Sequence, residues 1–219
     1  MRILLGYILT YGWVFLVLGL TQLIKAKTQA GDEVSRKIVH ICVAFAWLPM
    51  VLCFGASWHL VLPPLTFVAL NYVSARKNLF SAMERSDKAK QSYGTVWYAV
   101  SMSVMAAVSA LYEPALPAYG VGLFCMALGD GFAPSLGAIQ KGNRTLFRGR
   151  TLYGSIGVFV ISLAVTAVMT LAFAMPLAPW QVLVIALGAA ALELVSTSGL
   201  DNITLPLGVF ALTLIFTQF

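Results

Sequence analysis

The stretch GSIGVFVISLAVTAVMTLAFA, running from Gly154 to Ala174, contains no charged residue. An apolar run of about 18 residues or more without charge is long enough to cross the hydrocarbon core of a bilayer as a helix. The rest of the chain repeats the pattern. Of its 219 residues 60% are hydrophobic and 10% charged, and its mean hydropathy is +0.88. A soluble domain carries about 25% charged residues, so these figures exclude an ordinary soluble protein. They predict an all-α, polytopic transmembrane helical bundle of about seven to eight spans, built as a single integral membrane domain over residues 1–219. Turn-rich alternating segments of about ten residues, which would argue for a barrel, are absent.

Outward from that stretch, eight apolar runs read as spans: Ile3–Ile24, Ile38–Phe54, Leu60–Val73, Thr95–Leu111, Leu116–Leu136, Gly154–Ala174, Trp180–Val195 and Ile203–Phe219. The third is the least typical, being short, interrupted by Pro63–Pro64 and carrying Asn71. The first lacks a small-residue cleavage site and reads as a retained span rather than a signal peptide. Cys42, Cys53 and Cys125 lie singly in apolar runs, without metal spacing or a disulfide framework.

The net charge of +6 follows from topology. Apart from Arg2, every lysine and arginine falls in three connections, Lys25–Lys37, Arg76–Lys90 and Lys141–Arg150. The alternate turns, Gly55–His59, Tyr112–Tyr119 and Met175–Pro179, have none. Cytoplasmic loops accumulate positive charge, so the basic connections are expected inside and Arg2 outside. Nucleic-acid binding would call for a soluble basic face, which this chain lacks. With this topology Asp130, Glu193, Asp201, Asn202, Arg36 and His40 all gather on the cytoplasmic side of what reads as a bacterial-type inner membrane. No internal repeat is evident, so an inverted-repeat transporter gains no support.

The segment Met126–Pro134 sets Asp130 between Gly129 and Gly131 in apolar surroundings. A carboxylate at membrane depth costs a few kcal/mol and usually faces a cavity. The glycines loosen the helix, and Pro134 cannot donate to the Asp130 carbonyl, so side chain and backbone oxygen are both available to a cation. Mg²⁺ favours one or two carboxylates together with substrate phosphates. The plainer reading is a structural acid paired with a basic loop residue.

Lys141, Arg144, Arg148 and Arg150 follow, with Gly142 and Gly149 among them. They fit a triphosphate clamp, in which arginine gives bidentate contacts. Thr151 and Ser155 flank a turn whose free N–H groups open the sixth span. A positive-inside loop on lipid headgroups is the alternative. Glu193 lies in the apolar Ala189–Val195 and requires a partner or a metal, and Asp201 either joins it or caps the last span, ahead of Pro206. Glu33, Arg36, Lys37 and His40 share roughly one helical face. His40 fits proton transfer or phosphate binding, against the commoner role of a satisfied structural group. Ser92–Thr95 reads as a capped entry to the fourth span.

Gly129–Asp130–Gly131 with Ala133 and Gly137, then Arg150–Thr151 before Gly154–Ser155, resemble the signature of the phytol kinase and dolichol kinase family. That family also includes CTP-dependent diacylglycerol kinases, and its fold is related to phosphatidate cytidylyltransferase. Ser35–Arg36–Lys37 with His40, Ser92–Thr95, and Leu200–Asp201–Asn202 with Thr204 and Pro206 extend the resemblance in order along most of the chain. Arg150 stands where the family usually has lysine, and only Asp201 precedes Asn202 where relatives often have two aspartates.

The resemblance implies phosphoryl transfer from CTP, with Mg²⁺, to a lipid alcohol: an isoprenoid alcohol such as phytol or polyprenol, or diacylglycerol. Asp130, Glu193 and Asp201 are then the expected catalytic and metal-binding acids. Lys141, Arg144, Arg148, Arg150, Thr151, Ser155, Arg36 and Lys37 are the expected phosphate contacts, and His40, Asn202, Gly129, Gly131 and Ser92 are further candidates. A cytidylyltransferase is the nearest alternative. It would carry a carboxy-terminal cluster of polar residues, yet no charged residue follows Pro206. A transporter would spread polar residues through the membrane depth rather than gather them at one face.

Overall fold

The computed structural model describes residues 1–28, 31–77, 79, 93–133, 144–147, 149–197 and 199–218. Helices occupy all eight expected places. Five apolar helical stretches are long and apolar enough to cross a membrane: Arg2–Thr28, Asp32–Phe54, Gly94–Leu111, Glu113–Ala133 and Leu152–Ala172. Their outer faces stay apolar, as with Leu171, which is 82% exposed. A helix that is hydrophobic all round belongs in lipid. The fold is thus an all-α membrane bundle. Where the sequence reads as one domain, the helices cluster into two compact units, Met1–Glu113 and Pro114–Phe219.

The first unit holds α1 (Arg2–Thr28), α2 (Asp32–Ala44), α3 (Trp47–Phe54), α4 (Leu62–Lys77) and α5 (Gly94–Leu111). Helix α1 packs on α2 and α3, and α4 on α5. The expected second span is broken at Phe45–Ala46 because Pro49 has no N–H for the Phe45 carbonyl, which instead accepts from Leu48 at 3.1 Å. The atypical third span is a helix after all. Pro63 and Pro64 fall in its first turn, where no intrahelical donor is needed. Its polar Asn71 ties α4 to α5 by donating to the Thr95 carbonyl at 2.9 Å. Arg2 donates to the Leu52 carbonyl near the end of α3 at 3.0 Å, a favourable place for a cation at a helix C-terminus.

In the second unit α6 (Leu116–Phe124) runs directly into a wider π-helical turn, Cys125–Asp130, and on to Ala133. A two-stranded antiparallel hairpin follows, β1 (Thr145–Phe147) with β2 (Arg150–Thr151), which the sequence did not lead us to expect. Gly149, at φ 81°, turns the chain between the strands, a conformation open to glycine and strained for other residues. Next come α7 (Leu152–Ala172), α8 (Pro179–Val195) and α9 (Asp201–Gln218). Helix α7 packs on α8 and along the π turn, while α9 packs on α6 and α8. The stretch Glu113–Ala133 is the centre of this unit, 83% buried across its apolar window against 33% for Leu152–Ala172.

Small residues set the close approaches. A Cβ on Gly129 would stand 3.3 Å from Val158 Cγ1, so its absence lets the π turn lie directly against α7. A Cβ on Gly208 would meet Leu192 at 2.5 Å, which brings the start of α9 against the end of α8, next to Glu193. These contacts draw three chain segments with acidic residues toward one end of the second unit.

Candidate functional site

Asp130 closes the π turn, Glu193 lies in the last turn of α8, and Asp201 is the first residue of α9. Their relative exposures are 4%, 2% and 6%. All three face the guanidinium of Arg150 on β2. Nη2 of Arg150 lies 2.6 Å from Asp201 Oδ2, Nη1 lies 2.8 Å from Glu193 Oε1, and Nη1 lies 3.6 Å from Asp130 Oδ1. The Arg150 side chain is itself only 19% exposed. Arginine suits this place because its planar fork serves several oxygens at once. Burial pulls the Arg150 pKa down, but the nearby carboxylates, Glu193 foremost and then Asp201 and Asp130, more than offset this and raise it above the ordinary arginine value. The group is a permanent cation.

The surroundings explain how each acid is held. Asp201 Oδ1 accepts two backbone N–H groups, from Gly199 at 3.1 Å and Asn202 at 3.0 Å. Ser155 donates to Glu193 Oε2 at 3.4 Å from the first turn of α7. Thr151 is the N-cap of α7, accepting from the Gly154 N–H at 3.2 Å. Gly154 is buried against the end of the π segment, where a Cβ would stand 3.0 Å from Thr151 Oγ1 and 3.4 Å from the Ala133 carbonyl. The head of α7 is therefore seated on the segment that carries Asp130.

A magnesium centre built from Asp130, Glu193 and Asp201 does not fit this arrangement. The Arg150 guanidinium takes the central place, and both oxygens of Glu193 and of Asp201 already have donors. Among the described residues, no three histidine, cysteine or acidic side chains form a group able to hold a metal ion. Asp130 lies furthest of the three from Arg150, at 3.6 Å.

Other expected residues fall as follows. Asn202 is 3% exposed, and its Oδ1 has no hydrogen-bond partner among the described residues. Pro206 inside α9 also removes the donor that would reach the Asn202 carbonyl. Gly129 and Gly131 flank Asp130 and are buried. Arg144 is exposed, with its carbonyl accepting from Leu152 N at 3.0 Å. Arg36, Lys37 and His40 belong to the first unit. There Arg36 pairs with Glu33 at 2.6 Å. His40 is buried edge-on to Tyr98, with ring centroids 5.0 Å apart, and its carbonyl accepts from the Tyr98 hydroxyl at 3.1 Å. Ser92, Pro134, Gly137, Lys141 and Arg148 lie outside the described residues.

What sequence reasoning missed is that Arg150 faces all three acids at once. The one available signal was Gly149, a turn residue that sets the following position at the start of a strand. The arrangement as a whole is a buried cation with a fixed orientation, a helix head beside it, and an acid whose contact with that cation is loose.

No protein-family model matches the chain, and no solved structure matches it. Among curated proteins, phytol kinase of Synechocystis sp. is 29% identical over 185 residues, which cover 80% of this chain and 76% of that protein. This similarity supports membership of the phytol kinase and polyprenol kinase family, the resemblance that the motifs from Glu33 to Pro206 carry.

Proposed function

We propose that this protein is a membrane lipid-alcohol kinase that transfers the γ-phosphoryl group of CTP to an isoprenoid alcohol or diacylglycerol. Its site would face the cytoplasm from a bacterial-type inner membrane. The observation that carries the reading is the Arg150 guanidinium held among Asp130, Glu193 and Asp201 at the head of α7. The likeness to a phytol kinase supports the substrate class.

In this reading the lipid hydroxyl oxygen forms a bond to the γ-phosphorus while the bond from that phosphorus to the CDP oxygen breaks. The hydroxyl proton passes to a carboxylate, for which Asp130 is the candidate, and CDP leaves with the electron pair. Such transfers need little covalent help from the protein, and positioning and charge neutralisation supply most of the rate. Arg150 neutralises a phosphate oxygen and the first turn of α7 offers N–H groups, with Arg144, Lys141 and Arg148 as further candidate phosphate contacts by sequence. In the alternative assignment Asp130 would instead meet Mg²⁺ carried by the triphosphate, and that ion would neutralise phosphate charge.

The test is a matrix of nucleotides against lipid alcohols with protein purified in detergent, reading the products. CDP and a phosphorylated alcohol are expected. Release of pyrophosphate with phosphatidate as acceptor would instead identify a cytidylyltransferase. Asp130→Asn is expected to lower turnover by about a hundredfold or more, the usual scale for losing a general base. Unchanged turnover would remove Asp130 from the chemistry.

A further inference from the structure

We propose that Glu193 and Asp201 act through Arg150 as its positioning residues and do not ligate metal. This rests on the kinase reading only for what Arg150 contacts, a phosphate. The positioning itself stands on geometry. Both carboxylates are oriented by donors on their second oxygen, Glu193 by the Ser155 hydroxyl at 3.4 Å and Asp201 by the N–H groups of Gly199 and Asn202 at 3.1 and 3.0 Å. Their remaining oxygens grip the two terminal nitrogens of one guanidinium at 2.8 and 2.6 Å. Mg²⁺ accepts only oxygen ligands at about 2.0–2.1 Å in near-octahedral geometry. Oxygens committed to a guanidinium fork are spaced for a larger, planar cation.

The chain thus supplies its own cation where a metal would otherwise bridge these acids. Glu193 comes from the end of α8 and Asp201 from the start of α9. Arg150 itself precedes α7, so one guanidinium fixes the mutual placement of three helix ends. Its orientation is set before any ligand arrives, which reduces the reorganisation needed when phosphate binds. Asp130 makes the longest of the three contacts with that guanidinium, at 3.6 Å, and is the acid assigned in the kinase reading to the nucleotide's cation or the lipid hydroxyl.

The deciding measurement is Mn²⁺ binding to nucleotide-free protein by electron paramagnetic resonance, with Mn²⁺ alone as probe, compared among wild type, Glu193→Gln, Asp201→Asn and Asp130→Asn. Glu193→Gln and Asp201→Asn are expected to leave Mn²⁺ binding within twofold of wild type. A tenfold or greater weakening by either overturns the proposal. In turnover, Glu193→Gln should raise KM for CTP about tenfold with the Mn²⁺ requirement unchanged, whereas Asp130→Asn should shift that requirement. Equal shifts in the two variants also overturn it. Should Glu193→Gln not fold, Ser155→Ala keeps the carboxylate and loses only its orientation, with the same expected split between KM and metal requirement. Wild-type protein inactive with every nucleotide and alcohol would sink the kinase reading while leaving the Mn²⁺ titration to decide this inference.

Discussion

Nη1 of Arg150 lies 2.8 Å from Oε1 of Glu193, a carboxylate only 2% exposed, and this contact joins the loop before α7 to the last turn of α8. Breaking one side of a buried ion pair leaves the other charge uncompensated, at a cost of about 3–5 kcal/mol. Arg150→Met should therefore lower the melting temperature sharply. The double variant Arg150→Met, Glu193→Gln should recover part of the loss, because it removes one of the orphaned charges. Thermal unfolding in one detergent measures both. A double variant that melts below the single one would contradict the coupling.

The same contact gives a prediction about alkaline pH. Because the pKa of Arg150 is raised in the folded protein, its contribution to stability is complete below the unfolded-state value, which is itself strongly alkaline. It is lost only as pH rises through the still higher folded value. Stability from this cluster should be flat between pH 7 and about 10 in the wild type. Arg150→Lys keeps the charge but introduces an amine of ordinary pKa about 10.4, so its melting temperature should fall at alkaline pH where the wild type's does not.

Gly154 should not tolerate a methyl group. An alanine Cβ there would press on Thr151 Oγ1 at 3.0 Å and on the Ala133 carbonyl at 3.4 Å, displacing the cap of α7 or the segment after Asp130. Loss of a cap costs about 1 kcal/mol, and turnover should fall further because Ser155 and Arg150 move with the helix head. Gly12 is the control, since nothing lies within 4 Å of a Cβ placed there. In the middle of α1, Gly12→Ala should hold or raise stability by about 0.5–1 kcal/mol.

Asn202 should show opposite effects on stability and activity. A buried acceptor without a partner costs about 1–3 kcal/mol, so Asn202→Leu is expected to leave the melting temperature unchanged or higher. If the Oδ1 atom receives a donor from substrate, the same variant should lose at least about tenfold in turnover, near the scale of one hydrogen bond to a charged group. Full activity with raised stability would mark Asn202 as a structural residue only.

Much of the architecture was legible from composition because the membrane imposes a single solution on an apolar chain. Backbone groups in lipid must be satisfied internally, so each uncharged run becomes a helix. This held even for Leu62–Lys77, whose prolines fall in the first turn. The break before Trp47 follows from Pro49, but it became evident only when the Phe45 carbonyl was seen to accept from Leu48. The acids were legible as unusual, since a buried carboxylate in an apolar run calls for a partner.

Sequence by itself thus determined the membrane class, the places of the helices, and the identity of the polar residues that require partners. Tertiary structure alone decided that Arg150 is a partner shared by Asp130, Glu193 and Asp201. The physical reason is range. Helix periodicity and hydropathy act over a few residues, whereas the Arg150–Asp201 contact spans 51 positions. It exists because Gly149 turns a hairpin, Gly154 seats α7 on the Asp130 segment, and Gly208 admits α9 beside α8.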